Sequence, residues 1–557
     1  MSKKEKNGTV HSETSGTGAF EARRILQNKG YLYLTEFFAG MSLMAVEIGA
    51  QRLISPYFSS SQIVWTIIIG TIMIAMALGN VYGGRSADKD PNPDRLYRRI
   101  LIAAIWLALI PVFGKYLIIG ISAVLIFSVD SNFLIIAAFA VCMIVFVFPL
   151  FLLGTVTPSL AKYTMGSLND NGKIVGTLGA SNTIGSILGT FLPTFVTIPA
   201  VGTSVTFLIF AGILIGLSMV YFCSVGFAGH RKKVIAGLAL FLVACIFGNS
   251  SHFAFWETTD NLLYEGESAY NYLQVRDEPD QVILSTNVLF GVQSVLKKER
   301  GLTGMYYDYA MAAPFMAGVH EKDSLDVLIL GMGSGTYATQ CGRYFDHLKI
   351  EGVEIDRRIT ELAGKYFELP STAKVTTYDG RSYLDVQDRK FDVIMVDAYQ
   401  DITIPFQMSS LEFFTSVREH LRDDGVMVVN MNMRGNEKGS INEYLADTIA
   451  EVFPSMYTVD VAYSTNRELF ASPNDRFMEV FRRNVALEKQ RDLRKMMEAV
   501  SGKLSFYQSS GYLLTDDKAP VELLGMRDID SIIQKETGYY RKIYEEEGIK
   551  GLIRALQ

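Results

Sequence analysis

Val327-Leu-Ile-Leu-Gly-Met-Gly-Ser-Gly-Thr336 decides how the second half of this chain is read. An apolar run suited to a buried strand ends in a loop with glycines at 331, 333 and 335. About twenty residues on, a second apolar run, Ile350-Glu-Gly-Val-Glu354-Ile-Asp356, ends in carboxylates. This is the pattern of a βαβ unit that binds a nucleoside: the glycines let the backbone pass close to the ligand, and the next strand delivers a carboxylate to ribose hydroxyls. Where a third glycine would open the helix under a pyrophosphate, the chain has Tyr337-Ala338-Thr339. That suits a nucleoside without one.

Outward from this stretch, strands and helices alternate. Strands are expected at 326–330, 350–354, 374–377, 391–397 and 425–431, with helices after Gly335, around Arg357–Tyr366 and at 409–421. Such alternation predicts a doubly wound parallel sheet, which binds ligands at the carboxyl ends of its strands. The carboxylates there are Glu354, Asp356, Asp379 and Asp397. Each taken alone reads as a helix cap or a solvated turn. Four in sequence beside the glycine loop read as a nucleoside pocket. Asp379-Gly380 suits an adenine amine. Asp397 suits the reacting end, where a carboxylate can hold an ammonium or take its proton. Tyr399 and Asp401 follow on the next loop. No Lys or Ser/Thr has P-loop spacing, which argues against ATP hydrolysis. Ahead of the glycine loop, 262–325 reads as a small antiparallel β subdomain followed by a phenol-rich helix, Gly304-Met-Tyr-Tyr-Asp-Tyr-Ala.

The first half is different. Residues 1–30 read as a disordered cytoplasmic tail. Over 31–250, apolar segments run at 32–54, 62–83, 99–128, 133–153, 174–198, 203–224 and 234–249, giving about seven spans of the length a bilayer needs. Lys and Arg cluster in the tail, at 85–99, at Lys162 and Lys173, and at Arg231–Lys233. The charge rule makes all four regions cytoplasmic and puts everything after a seventh span outside. Supply of a cytosolic nucleoside argues the opposite, so the catalytic domain is expected on the cytoplasmic face. Glu47 reads as a substrate or proton site, or as the structural partner of Arg52. Asn182 is expected to find a partner inside the bundle, and Gly185 and Gly189 form a GxxxG face for close helix packing. The loop Gly79–Lys89 resembles that of major-facilitator transporters.

Composition narrows the class. A net charge of −6 gives no case for a nucleic-acid partner. The four cysteines and six histidines have no ligand spacing, so no metal is expected.

With these residues in view, about 262–480 resembles the spermidine/spermine synthases, aminopropyltransferases with a methyltransferase-like Rossmann fold. The resemblance rests on Gly331-Met-Gly-Ser-Gly335, Glu354, Asp379-Gly380 and Asp397, with Tyr270-Asn271 and Gly291-Val-Gln293 at the family's entry strand and hairpin. Over the whole chain, through Glu47, Arg52, Pro56, Trp65 and Leu514-Thr-Asp-Asp517-Lys-Ala-Pro520-Val-Glu522, it is similar to membrane-fused spermidine synthase-like proteins. The fold implied is a polytopic α-helical membrane domain followed by an α/β Rossmann-like domain over 326–530, with a C-terminal helix at 531–557. The resemblance implies a nucleoside site of Asn271, Gln293, Gly331, Gly333, Gly335, Glu354, Asp379 and Gly380, and Asp397 as the catalytic base. Tyr307, Asp308, Tyr399 and Asp401 are the expected acceptor residues. Tyr307-Asp308-Tyr309 replaces the family's Tyr-His-Glu, and Asp397-Ala-Tyr-Gln-Asp401 is one residue longer than its Asp-x-x-Asp.

The expected activity is that of a membrane-bound transferase in polyamine biosynthesis. It uses S-adenosylmethionine or its decarboxylated form as co-substrate, has no prosthetic group and releases methylthioadenosine. A lyase or a methyltransferase on the same fold stays open, as does a polyamine or nucleoside transporter or sensor. The expected partners are the lipid bilayer of the inner cell membrane and an amine or polyamine, with a homodimer as an open alternative.

Overall fold

The computed structural model describes residues 28–126, 129, 131–164, 171–249, 261–286, 292–399, 404–432, 434 and 438–556. Most of the expected tail, Gly291 of the hairpin and Asp401 lie outside the described residues. The chain divides into two compact units, Met1–Ala50, Ile69–Gly114 and Cys142–Ser250 in one, and Gln51–Ile68, Lys115–Val141 and Ser251–Gln557 in the other.

The first unit draws on apolar helices α1 (Lys29–Phe58), α2 (Gln62–Lys89), α3 (Pro93–Leu125), α4 (Phe133–Val145), α5 (Val147–Gly154), α6 (Val156–Thr164), α7 (Asn171–Leu192) and α8 (Ile198–Gly248). Among the described residues, four helical stretches are long and apolar enough to cross a membrane, and the bent run Phe133–Thr164 makes a fifth. The segment expected at 133–153 therefore runs on to Thr164, with a 49° bend where Pro149 sits near the start of the second piece. The 99–128 segment is one helix with Pro111 inside it. The stretch Gly172–Val225 is not straight. Gly202 stands at φ +81°, which an α-helix does not allow, so the chain turns there. Helix α8 also doubles back: a Cβ on Gly212 would meet the Phe241 ring at 3.1 Å, and one on Gly248 would lie 3.8 Å from Leu208. The expected segments 203–224 and 234–249 therefore lie side by side.

Close packing holds this unit. A Cβ on Gly185 would sit 2.0 Å from the Phe37 carbonyl oxygen, and one on Gly189 2.0 Å from that of Met41, so α7 lies backbone to backbone on α1. Asn182 donates to Glu36 at 2.8 Å, and Thr157 donates to the same carboxyl oxygen at 2.5 Å. The partner expected for Asn182 is thus Glu36, a fully buried side chain.

In the second unit, β1 (Leu262–Glu267), β2 (Tyr272–Asp277), β3 (Gln281–Ser285) and β4 (Ser294–Lys297) form an antiparallel sheet in sequence order. Two short helices follow, α9 (Tyr306–Ala310) and α10 (Ala312–Met316). The large sheet holds β5 (Leu325–Leu330), β6 (Leu348–Glu354), β7 (Lys374–Thr377), β8 (Phe391–Val396), β9 (Leu421–Met431), β10 (Ser455–Asp460), β11 (Arg467–Ser472) and β12 (Ser505–Phe506). Its order is β12-β10-β11-β9-β8-β5-β6-β7. Strands β5 to β9 pair in parallel, whereas β9-β11, β11-β10 and β10-β12 pair antiparallel. The antiparallel half departs from the all-parallel sheet expected from the alternation.

Both faces of the central strands are covered, which is why they read as unbroken apolar runs. Val327, Ile329, Val393, Met395, Val426 and Val428 enter one core, and Leu328, Leu330, Ile394, Val396, Met427 and Val429 the other. From β5 the order runs one way through β6 and β7, then returns past β5 to β8. The carboxyl ends of β5 and β8 therefore form the switch point where such sheets bind ligands.

The last helix starts right after Pro520, at Val521, and runs to Leu556, ten residues ahead of the expected 531. Within this unit Glu522 accepts from the backbone N–H of Gln62 at 2.7 Å, and Asp530 accepts from those of Asn132 and Phe133 at 2.8 and 2.9 Å. Arg52, expected to pair with Glu47, donates to the carbonyl of Ser268 at 3.2 Å, and also to that of Ala269.

Candidate active site

The loop after β5 is shaped by what it must pass. Gly331 has φ +81°, and a Cβ there would lie 2.5 Å from Ala398 Cα and 2.6 Å from the Asp397 carbonyl oxygen. Only glycine lets the end of β8 come this close, so Gly331 and Asp397 meet at the switch point. Gly333 turns its N–H to Glu354 Oε2 at 2.8 Å, and Gly335 ends the loop where α11 (Thr336–Tyr344) begins. Around them lies a cavity of about 310 Å³ whose lining includes Asn271, Gln293, Gly331, Glu354, Asp379 and Asp397.

Glu354 is buried and also accepts from the Asp356 N–H at 3.0 Å. Burial pushes its carboxyl up to about 7, against the pull of these backbone donors. Asp356 caps the helix Arg357–Tyr366 and accepts from Asn271 at 3.0 Å, which fixes that amide at the cavity wall. Asp379 caps the helix Gly380–Asp385 through Ser382 N–H at 2.8 Å while still lining the cavity with Gly380. The next side chain, Arg381, grips Asp516 through two bonds of 2.7 Å, so Leu514–Glu522 braces this corner.

Asp397 has two partners. Tyr306 donates its phenolic hydrogen to Oδ2 at 2.6 Å, and Asn430 donates to Oδ1 at 2.9 Å. Burial raises the Asp397 carboxyl to about 7, and these two bonds pull it back. Tyr399 lines the cavity beside it, donates to the Asn430 carbonyl and accepts from Asn432 N–H at 2.9 Å.

The phenol-rich helix presents a neighbour of the expected residue to Asp397. Tyr307 packs its ring on Tyr306 at 4.0 Å between centroids, but it is Tyr306 that reaches Asp397. Asp308 is fully buried and does not face the cavity. It accepts from Thr303 N–H and hydroxyl at 3.1 and 3.0 Å, from Gly304 N–H at 2.6 Å and from Gln340 at 3.2 Å. Those donors consume the carboxylate in closing the turn before α9. Tyr306 and Asn430 were missed in the sequence. The signal for Asn430 was a lone amide in the apolar run Val426-Met-Val-Val-Asn-Met.

Residues 308–470 match the spermine/spermidine synthase domain family. A probable polyamine aminopropyl transferase of Bifidobacterium longum is 52% identical over 356 residues, covering 61% of this chain and 78% of that protein. A polyamine aminopropyltransferase of Vibrio vulnificus is 23% identical over 282 residues, covering 47% of this chain and 91% of its own. The crystal structure of a probable spermidine synthase from Corynebacterium glutamicum superposes with a TM-score of 0.35 at 18% identity, covering 45% of this chain and 98% of that one. With 52% identity over an aligned region that covers 78% of the Bifidobacterium protein, the chain belongs to the polyamine aminopropyltransferase family and is a transferase of the spermidine synthase type.

Proposed function

We propose that this protein transfers the aminopropyl group of decarboxylated S-adenosylmethionine to an amine and releases methylthioadenosine, with Asp397 as the general base. The observation that carries this reading is a buried carboxylate held near 7 at the reacting end of a nucleoside-sized cavity. A base poised near working pH is what proton removal from the attacking amine requires. The sulfonium is already activated, so the protein mainly aligns the nucleophile and takes a proton. The amine lone pair attacks the carbon bonded to sulfur and the C–S bond breaks. Its electrons neutralise the sulfonium to a thioether, and the surplus proton on nitrogen goes to Asp397. Glu354 serves the ribose, Asp379-Gly380 the adenine, and Asn271 and Gln293 the cavity wall. Tyr399 flanks the acceptor.

The test is to incubate purified protein with S-adenosylmethionine or its decarboxylated form, with and without polyamines, and follow the nucleoside product by mass. Methylthioadenosine formed only with the decarboxylated donor and an amine supports transfer. Amine-independent methylthioadenosine identifies a lyase, and S-adenosylhomocysteine a methyltransferase. Binding without turnover returns the transporter or sensor reading.

The same proposal holds the enzyme in a bilayer through its apolar helices, and it reverses the expected face. The start of α2 at Gln62 is tied to Glu522 of the transferase domain, while the far end of α2 carries Arg85 and Lys89. The charge rule puts that basic end in the cytosol, hence Gln62 and the transferase domain on the outer face.

A further inference from the structure

Between β1 and β2 the chain turns in four residues, Ser268-Ala-Tyr-Asn271. The Ser268 hydroxyl accepts from the N–H groups of Tyr270 and Asn271 at 3.1 and 2.9 Å and donates to Asp356 Oδ2 at 2.5 Å. The Asn271 amide donates to the same oxygen at 3.0 Å, which sets its side chain on the wall of the nucleoside cavity. Behind the turn lies a second cavity of about 160 Å³, lined on its other side by Gln51, Arg52, Ser55 and Pro56 of α1. Tyr270, Asn271 and Thr286 line both cavities. The turn is therefore a wall with open space on either side, and packing alone holds such a segment weakly.

Arg52 grips the wall from the α1 side. Its two terminal nitrogens donate to the carbonyls of Ser268, at 3.2 Å, and Ala269. A planar guanidinium holds two adjacent carbonyl oxygens in a fixed fork that a single ammonium does not reproduce. Glu267, just before the turn, and Asp356, beyond it, both lie within electrostatic reach of the Arg52 charge. Gln51, the residue next to it on α1, lines the same small cavity but makes no hydrogen bond to the turn among the described residues. The segment Gln51–Ile68 belongs to the same compact unit as the small sheet.

We propose that Arg52 is a positioning residue for nucleoside binding: by clamping the backbone of Ser268 and Ala269 it keeps the Asn271 amide on the cavity wall. The inference rests on the transferase reading above. It adds a requirement that the residues after 262 do not meet by themselves, because the clamp comes from 216 residues ahead of Ser268 in the chain. The nucleoside site is complete only with the end of α1 in place.

The test titrates full-length protein calorimetrically with methylthioadenosine. Arg52→Ala should weaken binding about tenfold, and Arg52→Lys, which keeps the charge without the fork, about threefold. Gln51→Ala should bind within about twofold of wild type. In an Asn271→Ala background, Arg52→Ala should cost less than about twofold more, since a residue that acts through Asn271 has nothing left to position. In turnover, Arg52→Ala should raise the donor KM about tenfold with kcat within about twofold of wild type. Undiminished affinity in Arg52→Ala, an equal loss in Gln51→Ala, or additive losses in the double variant overturns the proposal. Melting curves confirm that the variants fold, and Arg52→Gln, which keeps the stem, stands in if Arg52→Ala does not. A wild type that binds no methylthioadenosine sinks the transferase reading and the proposal with it, whereas equal binding by wild type and Arg52→Ala sinks the proposal alone.

Discussion

Tyr306 donates its phenolic hydrogen to Asp397 Oδ2 at 2.6 Å, joining a five-residue helix to the end of β8. The bond favours the ionised carboxylate and so holds down a pKa that burial raises. Removing it in Tyr306→Phe should move the acid limb of the kcat/KM profile to higher pH. At pH 7 the variant should lose about tenfold in rate, recovering most of it at pH 9. A profile measured over pH 6–9 checks this, and an unmoved limb would show that Asp397 does not control it.

Asp397→Asn should cut turnover by about 10²–10⁴-fold while methylthioadenosine still binds. It should also stabilise the fold at neutral pH. With the folded-state value near 7 and the unfolded value in the ordinary carboxylate range, both forms are protonated in acid and nothing is lost. As pH rises through that window the unfolded chain ionises first, and stability erodes. The variant escapes this, so its Tm should exceed that of wild type by a few degrees at pH 8 and match it at pH 4.

Glu354 accepts two backbone N–H groups and still lines the cavity. Glu354→Gln keeps the volume and removes the charge-assisted bonds proposed for the ribose. The donor KM should rise about 10- to 100-fold with kcat within about threefold of wild type. Steady-state kinetics with the donor varied separate the two.

In the helical unit, Gly189→Leu should destabilise the protein by about 1–3 kcal/mol or more, because its Cβ would lie 2.0 Å from the Met41 carbonyl oxygen. Gly179→Ala on the same helix meets nothing within 4 Å and should melt like wild type. Melting curves in detergent compare them.

How much of this was legible without coordinates depends on chain distance. The glycine loop, Glu354, Asp379 and Asp397 each follow a strand, and the alternation of strands and helices places them at one edge of a sheet. Tyr306, the phenol bonded to Asp397, is one residue from the expected Tyr307, about 100° around a helix. Asp308 looked like a ligand group because three of its donors come from a turn that has no sequence signature and the fourth, Gln340, from a helix 32 residues on. Asn430 reaches Asp397 only because β9 lies beside β8, a neighbour 33 residues away in the chain.

The face of the membrane is open to direct measurement. In a background without the four native cysteines, Ser131→Cys and Glu299→Cys should react with an impermeant maleimide in intact cells. Pro91→Cys should react only after lysis. The opposite pattern would return the transferase domain to the cytosol.

The short bond from Gln62 N–H to Glu522 has a metabolic consequence. On the outer-face orientation proposed above, both products would form outside the permeability barrier and need no exporter. The sulfonium donor, made in the cytosol, is then the molecule that has to cross. Flux through the enzyme would be set by that passage, and the lengthened polyamine would form where surface polyanions can take it up.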